Sequence, residues 1–255
     1  MLRAFFPDGT QSPVTRQWIA EVPVAIEYNG IAYAVMMATP QKLEDFVTGF
    51  ALTEGLADSC DQVRDISLAE TDKGWIVRAS LSGQGAATMM ERARTRVAES
   101  SCGLCGIENL EAIARPLPPV VRHGAINAET IFAALNALGG LQVLGPATGA
   151  AHGAAWADDA GQIGYLREDV GRHNAMDKLI GAMARAGHSP ASGFILSTAR
   201  CSYEIVEKAV KAGAATLVTI SLPTSMAVER ARDAGLSLWA LARKDSVLLV
   251  NDASA

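Results

Sequence analysis

Residues 18–28 (WIAEVPVAIEY) are mostly apolar and read as strand, part of a strand pair turned at Asn29-Gly30, the strongest short hairpin signal. A second strand pattern follows over Ile31 to Met37. Thr39-Pro40 predicts a helix start, with Thr39 as N-cap and Pro40 at the first helical position. Leu43, Phe46, Val47, Phe50 and Ala51 recur at helical spacing and give that helix one apolar face. Trp75, Val77, Ala79 and Leu81 alternate with Ile76, Arg78 and Ser80, as in a half-buried strand. Residues 86–97 read as a further helix, with Arg92, Arg94 and Arg96 on a solvated face.

Between Glu99 and Arg122 the pattern breaks down into small residues, glycines and Pro116, Pro118 and Pro119, the composition of a linker. A helix is then predicted from Asn127 to Leu138, stopping at Gly139-Gly140. His152 and its small neighbours, Thr148 to Gly153, read as a loop able to close over a ligand. From Ile163 onward short apolar strands alternate with helices that end at Gly187, Gly213 and Gly235. Strands are expected at 163–166, 194–196, 217–220, 236–241 and 247–250, and helices at 174–186, 202–212 and 225–234. Such a rhythm indicates an α/β fold whose sheet is buried on both faces and mostly parallel. The expected organisation is a small N-terminal α+β domain over 1–98, a loop over 99–122 and a C-terminal α/β domain over 123–255.

Composition narrows the function classes. With 49% hydrophobic and 19% charged residues among 255, the chain has material for a core and is not a disordered segment. Its net charge of −5, from 22 basic and 27 acidic residues, argues against non-specific nucleic-acid binding. No run approaches a membrane-spanning helix, and the opening residues lack a signal-peptide core. The four cysteines are too few for a disulfide framework, so a cytoplasmic protein with reduced thiols is expected.

Two of those cysteines form the sequence Cys102-Gly103-Leu104-Cys105-Gly106. Thiols at this spacing can share a disulfide, a metal or a sulfur atom, and the two glycines clear the approach to sulfur. Structural zinc calls for four ligands, whereas Cys60 and Cys201 stand alone. Haem attachment needs a histidine where Gly106 stands, and a thioredoxin-type pair would follow the first strands of a small βαβ unit. The pair by itself indicates thiol chemistry and goes no further.

A second signal lies in the turns that leave the late strands. Residues 168–174 (EDVGRHN), 197–202 (STARCS) and 221–225 (SLPTS) each join a strand to a helix N-terminus. In an open sheet such turns gather on one edge, where ligands bind. Helix N-termini there favour anions, and Arg172 and Arg200 add fixed charge beside the hydroxyls of Thr198, Thr224 and Ser225. Helix capping accounts for Ser202 and Thr224 but not for two arginines entering one edge. A ligand with several phosphates fits, although neither a P-loop nor a dinucleotide fingerprint is present. His173 beside Arg172 is open to a structural or a general-base role, and Cys201 reads as packing.

These residues resemble the formate dehydrogenase accessory sulfurtransferase (FdhD) family. The likeness rests on SCGLCG at 101–106, EDVGRHNAMDKL at 168–179 and Ser202-Tyr203-Glu204, together with Glu21 to Val24, Met36 to Pro40 and Leu52 to Gly55. The resemblance implies a sulfurtransferase that takes persulfide sulfur from a cysteine desulfurase. It implies delivery of that sulfur to the molybdenum bis(molybdopterin guanine dinucleotide) cofactor before its insertion into formate dehydrogenase. It also implies a homodimer, a C-terminal domain of cytidine deaminase type, and Cys102 as the persulfide carrier, with Cys105 beside it. The cofactor-contacting segment maps onto Leu241, Ala242, Arg243, Lys244, Asp245 and Ser246. Cys201 stands where a small apolar residue is commoner in the family, and Ser246 where a basic residue is commoner. The competing reading is a non-catalytic cofactor chaperone whose cysteine pair is a redox or zinc site.

Overall fold

The computed structural model describes residues 2–83, 85, 89–90, 115–121 and 124–253. A short antiparallel hairpin, β1 (Leu2–Phe5) with β2 (Gln11–Val14), opens the chain. A four-stranded sheet follows, ordered β4-β3-β6-β5, from β3 (Val22–Tyr28), β4 (Ile31–Ala38), β5 (Val63–Thr71) and β6 (Gly74–Leu81). Asn29 and Gly30 both take positive φ at the β3–β4 turn, as the hairpin signal requires. Helix α1 (Leu43–Thr53) lays Leu43, Phe46, Val47 and Phe50 on this sheet, against Val24, Ile26, Tyr28 and Val77.

The helix does not begin at Thr39-Pro40. Its N-cap position is Lys42, in the left-handed conformation, without a side-chain cap. Thr39 is instead held by the C-terminal half of the chain, as described below.

The second sheet has six strands in the order β12-β11-β10-β9-β7-β8. They are β7 (His152–Asp158), β8 (Ile163–Asp169), β9 (Gly193–Ser197), β10 (Thr216–Thr219), β11 (Ser237–Ala240) and β12 (Leu248–Asn251). β9, β10 and β11 run parallel, but β12, β7 and β8 pair antiparallel to their neighbours. The sheet is therefore mixed, and the expected parallel character is confined to its central three strands. The sequence reads Thr148 to Gly153 as a loop and assigns no element to residues 154–158, where β7 runs antiparallel to both its neighbours; β12 adds a second antiparallel edge. The alanines of β7 are small because helices press on both faces: Ala154 belongs to the core beneath one layer, Ala155 and Ala157 to the core beneath the other.

Helix α2 (Ala128–Leu141) covers one face of this sheet, its N-terminus capped by the Asn127 side chain accepting from Thr130 N–H. It runs through Gly139 and Gly140, where the sequence predicts a stop. The short α3 (Leu144–Thr148) follows it. Helices α4 (Arg172–Arg185), α5 (Tyr203–Lys211) and α6 (Ser225–Ala234) cover the other face. α1 crosses α4 at glycines: a Cβ on Gly49 would lie 1.7 Å from the Asp177 carbonyl oxygen, and one on Gly181 would lie 1.9 Å from that of Asp45. Residues 115–121 cross beside α6, where Val120 N–H donates to the Ala234 carbonyl and Arg230 donates to that of Arg115.

Candidate functional site

The turns singled out in the sequence do meet on one edge. β9, β10 and β11 end there, β8 ends there, and β7, running the other way, begins there with His152 opposite Asp169. Adjacent turns are stitched together by backbone bonds. Thr198 N–H donates to Gly153, Ile220 N–H to Ser197, Thr224 N–H to Cys201, and Ala242 N–H to Thr219. The Thr198 hydroxyl oxygen also accepts from Gly153 N–H at 2.8 Å, which ties the start of β7 to the end of β9.

The turn between β8 and α4 is fixed from beneath. One oxygen of the fully buried Asp169 carboxylate accepts from Gly171 N–H at 2.7 Å and from the Asn174 amide at 2.9 Å. The other faces the Lys178 ammonium and accepts from Thr39 N–H, while Lys178 also donates to the Thr39 carbonyl. Burial pulls the Lys178 pKa below its usual value although Asp169 opposes that pull. A second buried cluster joins Asp177, Lys208, Thr53 and Glu54, with Lys208 Nζ 2.9 Å from Asp177 and 3.1 Å from Glu54. A third sets Asp45 of α1 between Arg167 and Arg185. Residues more than 100 positions apart thus hold the site's floor.

Above that floor lie the ionisable groups of the edge. His173 Nε2 is 2.9 Å from a Glu204 carboxylate oxygen, and Arg172 Nη2 is 4.0 Å from the same oxygen. Arg172 Nε and His173 Nε2 are both buried and make no hydrogen bond among the described residues, so the close approach of Glu204 to His173 is a contact and not a hydrogen bond of good geometry. Burial holds the His173 pKa below the ordinary 6.5, assisted by Arg172 and Lys208 and opposed by Glu204. The His152 pKa is also lowered, first by burial and then by the charges of Arg172 and Arg200, with Asp169 opposing. Both guanidinium charges therefore bear on one imidazole. The guanidiniums of Arg172 and Arg200 are suited to an anion, and no cluster of three potential metal ligands occurs among the described residues.

The model of the FdhD/NarQ family matches residues 19–254. The chain belongs to this family. Among its relatives, the sulfur carrier protein FdhD of Variovorax paradoxus (strain S110) is 41% identical over 92% of this chain and 84% of that protein. The sulfur carrier protein FdhD of Xanthomonas euvesicatoria pv. vesicatoria (strain 85-10) is 44% identical over 92% and 84%. A crystal structure described as a formate dehydrogenase accessory protein from Desulfotalea psychrophila superposes with a TM-score of 0.77. It shares 22% identity, over 98% of this chain and 95% of that one, and speaks for the fold.

Set against this FdhD/NarQ membership, the residues expected at the site fall into three groups. Cys102 and Cys105 lie outside the described residues, as do most of the 86–97 helix and of the 99–122 loop. His152, Arg172, His173, Thr198 and Arg200 share the edge. Thr224 and Ser225 are there too, although the Thr224 side chain caps α6 by accepting from Ala227 N–H at 3.3 Å. The segment 241–246 leaves β11 at the same edge: Leu241 takes φ +47°, Ala242 is buried, and Arg243, Lys244, Asp245 and Ser246 are exposed, with Arg243 N–H closing a turn on the Ser246 carbonyl. Cys201 is buried and its thiol pKa is pushed up to about 12 by burial, as suits a packing role.

Sequence reasoning missed the partners of these groups. Glu204 touches His173, Asp169 holds the turn, and Thr39, Thr53 and Glu54 reach in from the N-terminal sheet. Their segments were the ones that carried the family resemblance, but local pattern assigns none of them a contact.

Proposed function

We propose that this protein is a persulfide sulfur carrier for formate dehydrogenase. In this reading it accepts sulfur from a cysteine desulfurase on Cys102 and passes it to the molybdenum bis(molybdopterin guanine dinucleotide) cofactor, its substrate, before insertion into the enzyme. It acts in the cytoplasm, as a homodimer. The observation that carries the reading is the convergence of Arg172, Arg200 and His152 on one sheet edge, in a chain whose relatives are named sulfur carrier proteins.

The substrate's two diphosphates need fixed donors. The Arg172 side chain is partly exposed, Arg200 is exposed, and the 243–246 turn adds Arg243 and Lys244. These groups fit phosphate in number and sign, and they sit in or beside the turns that leave the sheet. Sulfur chemistry falls to the cysteine pair. The Cys102 thiolate attacks the outer sulfur of the donor persulfide, the donor thiolate leaves, and one sulfur atom changes partner without net oxidation. On delivery the terminal sulfur departs, the Cys102 thiolate is restored, and the acceptor metal supplies the two electrons that make it sulfide.

Intact-mass measurement after incubation with a cysteine desulfurase and cysteine tests the proposal. One sulfur should add to the protein, map to Cys102 and be absent in Cys102→Ala. An adduct that survives unchanged in Cys102→Ala rejects Cys102 as the carrier, and no adduct on the native chain favours a cofactor chaperone instead.

A further inference from the structure

Glu204 is the one acidic side chain that contacts both Arg172 and His173 among the described residues. Its carboxylate oxygen lies 2.9 Å from His173 Nε2, 4.0 Å from Arg172 Nη2 and 3.4 Å from Ser202 Oγ. It stands, in other words, where an anion bound by this edge would stand. Yet it fills that place poorly. The Arg172 contact is long and made by one nitrogen, and the neighbouring Nε is left buried and unpaired. The Glu204 side chain is 43% exposed, so it can swing into water without burying a charge.

We propose that Glu204 is a displaceable counter-ion of Arg172, which occupies the approach to that guanidinium and to His173 until a phosphate takes its place. The inference rests on the phosphate reading of this edge given above and adds to it the residue that sets selectivity. An exposed carboxylate at this distance contributes little to a guanidinium. A phosphate replaces that single long contact with charge-assisted hydrogen bonds from the guanidinium and contributes more. A diphosphate therefore wins the exchange, whereas a ligand with no more charge than a carboxylate gains little by it. His173 faces Glu204 and Lys208 from α5 and Arg172 from its own helix, so the incoming phosphate also replaces the one negative neighbour that imidazole has among the described residues.

Calorimetric titration of the full-length chain with GDP, and separately with inorganic pyrophosphate, tests this. Glu204→Gln keeps the side-chain shape and removes the charge, and Glu204→Ala removes both. Each should tighten both ligands by about three- to fivefold, the factor set by losing one exposed competing charge. The gap in affinity between the native and variant chains should shrink at high salt, where the competing charge is screened, and a gap that is independent of salt counts against the assignment. Unchanged or weaker binding in both Glu204 variants, with Arg172→Ala weakening it, overturns the counter-ion role and leaves the phosphate reading standing. Unchanged affinity in Arg172→Ala and Arg200→Ala removes the phosphate reading, and the counter-ion role falls with it.

Discussion

Asp169 and Lys178 form an ion pair with essentially no solvent contact, the carboxylate at the end of β8 and the ammonium on α4. The pair is more than an anchor, because the other oxygen of Asp169 holds the turn that presents Arg172 and His173. Removing the aspartate charge strands a buried ammonium, a loss of about 3–5 kcal/mol. Asp169→Asn should thus lower the urea midpoint markedly, and whatever folded protein remains should bind GDP more weakly than native. A midpoint within error of the native chain would show that Lys178 finds another partner.

The glycine crossing of α1 and α4 makes a sharper test of packing. Gly49→Ala brings a methyl group into the Asp177 carbonyl, a backbone atom that cannot step aside. The cost expected is about 1–3 kcal/mol or more, with the two helices forced apart. Gly139→Ala is the matched control: that glycine lies within α2 with open space around it, so alanine should stabilise the chain by about 0.5–1 kcal/mol. Thermal or urea unfolding of the two variants should move in opposite directions.

Thiol reactivity should separate the cysteines. With its thiol pushed to about 12, Cys201 is protonated at neutral pH and shielded, so iodoacetamide should leave it unmodified until the chain unfolds. Cys102→Ser should keep native GDP affinity but fail to restore formate dehydrogenase activity in a strain lacking this protein. Arg200→Ala should load sulfur normally and bind GDP about tenfold more weakly, the loss of one charge-assisted contact. Full restoration by Cys102→Ser would end the sulfur-carrier reading.

Acid should destabilise the protein through its two edge histidines. The folded chain holds His152 and His173 below their ordinary 6.5, so near that pH the unfolded chain binds more protons. Stability contributed by the neutral imidazoles is present above 6.5 and is lost as pH falls through their lower folded values. Urea midpoints should decline over that window, and the decline should flatten in a His152→Asn, His173→Asn double variant. An identical slope in the double variant would assign the effect to other groups.

Local signals carried the sequence reading where an element's cause is local. Helix α6 falls on 225–234 as predicted, capped by Thr224 and closed by Gly235 in the left-handed conformation. The hairpin at Asn29-Gly30 and the meeting of the three turns were legible for the same reason. Thr39 was misread because its N–H and carbonyl are claimed by Asp169 and Lys178, some 130 residues on, and no window along the chain registers that competition. β7 was missed because its pattern, small residues in a row, reflects pressure from helices on both faces rather than alternation. The role of Glu204 was illegible too, since a charge at a helix N-terminus looks like ordinary dipole compensation until its neighbours are in place.

The buried ion clusters also bear on how genes of this kind can recombine. Thr39, Asp45, Thr53 and Glu54 lie upstream of the 115–121 crossing, and Arg167, Asp169, Asp177, Lys178 and Lys208 lie downstream. A breakpoint anywhere between Glu54 and Arg167 joins one parent's threonines and acids to the other parent's lysines and arginines, across helices that touch through glycine. Chimaeras would stay viable only where both parents kept the same set, so the two halves are expected to be inherited as a matched pair.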